Sequence, residues 1–254
     1  MKTIFIKIIL LITILDWGVH LNCCAQERRI IPLNEHFFPL EVGRGLHKYN
    51  NVISYAIEKE LNEKIYTLDN QLIRTIKSTF DDEARELLLW KSEQKFDLKG
   101  QSLYSKLYYS NSDTVFTKII FEENLILDLV CIYANCNGSY FKSDGNVEVV
   151  DRNIFEPSFK SLNIWQEFLN RNLTYPLGAR RIGAQGNVWV GMKISDSGEL
   201  LEYAILNSEV IHPVLIGEVN RILKIYNEGF VPAKDFDGNY ITEWMYFPVR
   251  FVLN

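Results

Sequence analysis

Hydrophobic and polar residues alternate in short runs through the first two thirds of the chain, and period-two alternation is the signature of strands with one buried face. The clearest runs are Val52 to Ile57, Lys64 to Leu68, Leu72 to Ile76, Leu103 to Tyr109, Val115 to Phe121 and Leu125 to Tyr133. Turn-forming residues separate them at Asp69-Asn70, Lys99-Gly100, Asn111-Ser112-Asp113 and Asn137-Gly138. Several short strands at roughly this spacing predict an antiparallel meander and not parallel βαβ units. Asp81 to Trp90, with Leu87-Leu88-Leu89, fits either a helical turn or two or an edge strand.

Two of these segments resemble each other. YTLDNQLIRTI from Tyr66 and FDLKGQSLYSKL from Phe96 both run from an aromatic residue through a polar turn into a strand. They are similar to the hairpin repeats of membrane-occupation-type proteins, although two copies fall short of the three or more that a repeat array needs.

The pattern changes near Phe155-Glu156-Pro157-Ser158, where proline ends the strand regime and marks a linker. Ser161-Leu162-Asn163 opens a short helix that places Ile164, Trp165, Phe168 and Leu169 on one face, and Tyr175-Pro176 closes it. Val188, Val190, Met192 and Ile194 then alternate as the buried face of a strand, with Asn187, Trp189, Gly191 and Lys193 opposite. Asp196-Ser197-Gly198 supplies a tight hairpin into a return strand from Glu199 to Leu206. His212-Pro213 starts a helix with an apolar stripe of Leu215, Val219, Ile222 and Tyr226. A turn at Asp237-Gly238 leads to a last strand in which Met245, Phe247, Val249, Phe251 and Leu253 alternate. Pro248 within it predicts an edge strand or a bulge, because proline has no ladder donor.

In order along the chain stand Tyr175-Pro176, Ala179-Arg180, Gln185-Gly186, Asp196 to Gly198, Phe230-x-Pro232-Ala233, Asp237-Gly238 and Pro248-Val249-Arg250-Phe251. This series resembles the C-terminal domain of TonB-type energy transducers from about residue 160 to 254. The expected class is therefore α+β. A β-rich antiparallel meander domain over 26–155 precedes a small three-stranded antiparallel sheet, packed with one or two helices, over 156–254. The resemblance implies a protein-binding module that meets a short segment near the plug of an outer-membrane receptor by β-strand addition. It places Tyr175, Pro176, Arg180, Arg181, Gln185 and Gly186 near that contact; two arginines in a loop are equally well explained as solvated charges.

Residues 1–25 add a compartment. Lys2 and Lys7 flank a run of Ile, Leu and Phe from Ile4 to Leu15, and Cys23, Cys24 and Ala25 follow, which reads as a signal peptide cleaved before Gln26. The alternatives are a lipoprotein box at Leu21-Asn22-Cys23-Cys24, with Cys24 lipidated, and an uncleaved anchor, although Asp16 interrupts the run short of the ~20 residues a span needs. All three place the rest of the chain in the periplasm. There Cys131 and Cys136 become disulfide candidates, with two free thiols as the alternative.

Candidate chemistry is sparse. A formal net charge of −5 without a basic cluster argues against nucleic acid as a partner. His36, His47 and His212 are scattered, so no metal or cofactor site is expected. Asp196, Ser197 and His212 name a triad on paper, yet the first two are better explained as turn formers, and no enzymatic role is expected. The function expected is protein binding in transport across the envelope. The alternative is a structural or assembly component that keeps the fold without transducing energy, and exposed strand edges also permit dimers by edge pairing.

Overall fold

The computed structural model describes residues 28–41, 45–57, 59–81, 88–111, 114–133 and 135–253. The expected export segment, residues 1–25 with Cys23 and Cys24, lies outside the described residues, as do positions 82–87. Strands β1 (Arg28–Leu33), β2 (Tyr49–Ile57), β3 (Glu60–Thr67), β4 (Leu72–Phe80) and β5 (Leu88–Phe96) lie side by side. They continue into β6 (Ser102–Asn111), β7 (Thr114–Phe121), β8 (Asn124–Ile132), β9 (Asn135–Phe141) and β10 (Val147–Val150). These ten strands follow chain order and are antiparallel throughout.

The α+β expectation is thereby corrected. The chain is mostly β, 51% strand against 14% helix, and the ten-stranded antiparallel sheet dominates it. Alternation underestimated this sheet because several strands carry polar residues on both faces. The Asn137-Gly138 turn is a second correction, since both residues lie inside β9. Glycine is needed there for close approach: a Cβ on Gly138 would lie 2.2 Å from the Asp128 carbonyl oxygen on β8. Cys131 and Cys136 are paired directly across β8 and β9 and joined by a disulfide.

One turn recurs across the molecule. Thr67–Gln71, Asp97–Gln101 and Lys142–Asn146 join strands of the long sheet, and Ser195–Glu199 and Asp235–Asn239 do so beyond it. In each, the first residue's amide donates to the fifth residue's carbonyl at 2.9 Å, and the fourth residue has positive φ. That residue is Asn70, Gly100, Gly145, Gly198 or Gly238, the residue types that tolerate the left-handed region. The likeness between the Tyr66 and Phe96 segments is thus two copies of a hairpin that recurs with its flanking aromatic at Phe141 and without it before Ser195 and Asp235.

The remaining elements are β11 (Ser158–Phe159), α1 (Leu162–Asn172), α2 (Leu177–Arg181), β12 (Gly186–Ile194), β13 (Leu200–Ile205) and α3 (Pro213–Ile225). They end with β14 (Phe230–Val231), β15 (Ala233–Lys234), β16 (Tyr240–Ile241) and β17 (Glu243–Phe251). Strands β13, β12 and β17 form a ladder in that order, with β12 in the centre. Val188, Val190, Met192 and Ile194 of β12 face Leu215, Val219 and Ile222 of α3, all at most 1% exposed. Burying each such side chain stabilises by about 1.5–3 kcal/mol. Both longer helices are capped as their sequences require: the Ser161 hydroxyl accepts from the Ile164 amide, and His212 Nδ1 accepts from the Val214 amide. Trp165 of α1 stacks on Phe159 at 4.4 Å, whereas Ile164, placed on the same face by its spacing, is 45% exposed. Residues 151–159 are packed and do more than link: Ile154 is buried and Phe155 contacts Tyr140.

The inner face of the ten-stranded sheet is apolar only at its ends. Leu33, Ile65 and Ile76 are buried at one end, and Ile119, Leu127, Leu129, Tyr140 and Val150 at the other. Polar side chains occupy the middle.

Candidate functional site

The six residues expected near a peptide contact gather at one end of the three-stranded ladder. The Tyr175 hydroxyl donates to the Ala184 carbonyl, and its ring meets Phe251 edge-on at 5.7 Å. Pro176 precedes α2, and the Arg180 guanidinium lies 5.7 Å from the Tyr175 ring centre. Gln185 Oε1 accepts from the Leu253 amide at 2.8 Å, and Gly186 opens β12 with φ 142°. Tyr175, Gln185 and Gly186 are thus engaged within the fold, while Arg180 and Arg181 are exposed.

Because β12 is central, it offers no open edge. β17 takes one side of it along its whole length and β13 pairs with Val190–Ile194 on the other. Where β13 ends, the side chain of Asn207 completes the seal: its Oδ1 accepts from the Trp189 amide and its Nδ2 donates to the Asn187 carbonyl, both at 2.9 Å. The edges belong to β13 and β17, and β17 is the longer, nine residues against six. Trp189 directs its backbone toward β13, so its partner Pro248 directs its own away from the ladder. By alternation the backbone groups of Trp244, Tyr246 and Arg250 also point outward. The missing N–H of Pro248 therefore costs no ladder bond, and the Trp244 amide is met only by the Glu243 carboxylate beside it, at 2.8 Å.

The other face of this ladder docks on the long sheet. Phe38, in the loop after β1, lies 5.5 Å from Trp189, and His36 lies 4.5 Å from Trp244. His36 Nδ1 and the Tyr246 hydroxyl are 3.3 Å apart. Phe236 contacts Tyr104, Phe121 and Phe155, and the Lys234 amide donates to the Ile154 carbonyl at 2.8 Å.

This docking leaves a cavity of about 620 Å³ between the two sheets. Its floor is the polar middle of the long sheet, Arg74 of β4, Glu93 and Lys95 of β5, and Tyr104 and Lys106 of β6, and its roof is the start of β17. Arg74 Nε lies 3.3 Å from Glu93 and its guanidinium covers the Phe37 ring at 4.2 Å. Lys106 pairs with Glu156 at 2.5 Å. Burial pulls the Lys106 ammonium down, but Glu156 outweighs it and holds the pKa above the usual lysine value. Burial, and then Glu93, pushes the Tyr104 hydroxyl up, and burial with Glu243 pushes Tyr246 up to about 12. Perturbed groups in a cleft between two units are where binding sites concentrate.

Sequence reading missed this cavity. In the Leu103 to Tyr109 run it is Tyr104 and Lys106 that line the cavity, while Leu103 is 37% exposed. The paper triad does not serve as one: Ser197 Oγ meets Ser195 Oγ at 2.8 Å, and His212 caps a helix. Among the described residues, no three His, Cys, Asp or Glu side chains gather to hold a metal, and no helix is long and apolar enough to cross a membrane. No family model, curated protein or solved structure matches the chain.

Proposed function

We propose that this chain is a periplasmic protein-binding module that captures an extended peptide, near the plug of an outer-membrane receptor, on the outer edge of β17. One observation carries the reading: β17, the longer of the two edge strands of its ladder, is paired on one side only from Glu243 to Phe251. A partner strand laid there would gain main-chain hydrogen bonds from Tyr246 and Arg250 without displacing any existing ladder bond. The series of motifs from Tyr175-Pro176 to Pro248-Val249-Arg250-Phe251, similar to TonB-type C-terminal domains, supports the same reading. The contact then moves from the neighbourhood of Gln185 to β17, because β12 is sealed on both sides.

Titrating receptor plug peptides into the isotopically labelled chain tests this. Amide shifts confined to 243–251 are expected, together with their loss in Arg250→Pro, which removes an outward donor and no ladder bond. Shifts confined to the ten-stranded sheet, or none with any plug peptide, would overturn it. The former result would favour a second reading, an envelope assembly component that binds through the long sheet. Its edge strand β10 exposes Val147 and Val149, at 57% and 77%.

A further inference from the structure

Arg74, Lys95 and Tyr104 are consecutive neighbours across β4, β5 and β6, and all three line the cavity. Two cations thus stand directly opposite each other, an arrangement that destabilises a sheet unless something neutralises it. Their surroundings do so only in part. Glu93 ion-pairs with Arg74 Nε at 3.3 Å, but without the alignment of a hydrogen bond. Among the described residues Lys95 has no ion pair, only the Tyr104 ring at 5.8 Å, and the Tyr104 hydroxyl has no hydrogen-bond partner.

The nearby carboxylates are engaged elsewhere. Glu156 holds Lys106, Asp235 accepts the amides of its own turn, and Glu243 accepts the Trp244 amide. The floor therefore gathers donors in excess of acceptors. An apolar floor would have docked the two sheets at least as well, since buried ion pairs often add nothing to stability over well-packed hydrocarbon.

We propose that the cavity binds a small organic acid, its carboxylate seated among Arg74, Lys95 and Tyr104 and its apolar remainder against Phe155, Phe236 and Trp244. The carboxylate separates the two opposed cations and gives the Lys95 ammonium and the Tyr104 hydroxyl the acceptor they lack. Charge-assisted bonds of this kind are the strong ones. The volume lies within the range of small-molecule sites, and the aromatic walls supply the apolar contact that such sites use.

Calorimetric titration of the full chain with three probes tests the proposal: 4-phenylbutyrate, its uncharged amide 4-phenylbutyramide, and inorganic phosphate. Expected are saturable binding of phenylbutyrate tighter than about 1 mM and binding of the amide at least about tenfold weaker. Lys95→Met should weaken phenylbutyrate by about tenfold while leaving the melting temperature of the empty protein unchanged or raised, because a like-charge contact has been removed. A merely structural lysine would show neither the selective loss nor the rise. Tyr104→Phe gives the same comparison if Lys95→Met does not fold. Absence of phenylbutyrate binding, equal affinity for acid and amide, or saturation by phosphate alone would each overturn the proposal.

Discussion

The ten-stranded sheet and the C-terminal unit share strand chemistry and the same five-residue turn, yet different forces hold them. The C-terminal unit draws sixteen buried residues into one cluster, with contributions from α1, α2, α3 and strands β12 and β17. The longer sheet has six buried apolar residues at one end, joined there by Ile154, and three at the other, with charged groups between. Each of its strands relies on its neighbours through ladder bonds, recurrent turns and one disulfide. One region is specified by a shared core and the other by a succession of local agreements. Such a sheet can afford a polar middle, and the docked unit roofs that middle into a cavity.

Core truncation should separate the two regimes most strongly. Ile222 is fully buried among α3, β12 and β17, so Ile222→Ala should cost about 4 kcal/mol, transfer and cavity terms together. Ile65, 3% exposed in the three-residue cluster, has fewer buried neighbours to leave stranded, and Ile65→Ala should cost about 2 kcal/mol. Urea unfolding followed by tryptophan fluorescence would measure both. Equal losses would show that the long sheet has a core as continuous as that of the C-terminal unit.

How far each region was legible follows from the same contrast. In the C-terminal unit, residues that alternate or recur at helical spacing are those that are buried: Val188, Val190, Met192 and Ile194 against Leu215, Val219 and Ile222. Pro248 pointed to an edge strand or a bulge, and β17 is an edge strand with an unbroken register. In the long sheet the alternating runs located strands, but Lys91, Glu93 and Lys95 put charge at the inward positions of β5, so alternation there carried no hydrophobic signal. Gly138 looked like a turn because close approach between strands and a left-handed turn both call for glycine. The cavity was illegible for a further reason. Arg74, Lys95 and Tyr104 become neighbours only through register, which the turns set and which composition does not reveal.

The shared turn offers a finer comparison, since the same substitution can be made in both settings. Gly145 and Gly198 both have φ 83°, but a Cβ on Gly145 meets nothing within 4 Å, while one on Gly198 would lie 2.5 Å from the Phe230 carbonyl oxygen. Gly145→Ala should therefore cost only the left-handed strain, about 1 kcal/mol. Gly198→Ala adds a backbone clash and should cost about 2–3 kcal/mol. Thermal midpoints of the two variants would check this. Equal shifts would mean that β14 yields freely and that the unit is less tightly packed than its geometry indicates.

The smallest effect is expected at the joint between the regions. Tyr246 roofs the cavity and faces His36, Glu35, Glu243 and Arg74, and burial with Glu243 raises its pKa from 10.0 to about 12. A phenol whose folded pKa is raised contributes stability that is fully present below the unfolded value near 10 and lost as pH climbs through 12. The contribution is modest, because 42% of Tyr246 remains exposed and solvent screens its neighbours. Tyr246→Phe should therefore leave stability near pH 7 almost unchanged and blunt the alkaline fall between pH 10 and 12. Ultraviolet difference titration of the variant against the parent should show the missing phenol ionising near 12. Ionisation near 10 instead would mean that the loop carrying His36 is not held against β17, and that the two regions meet more loosely than either is built.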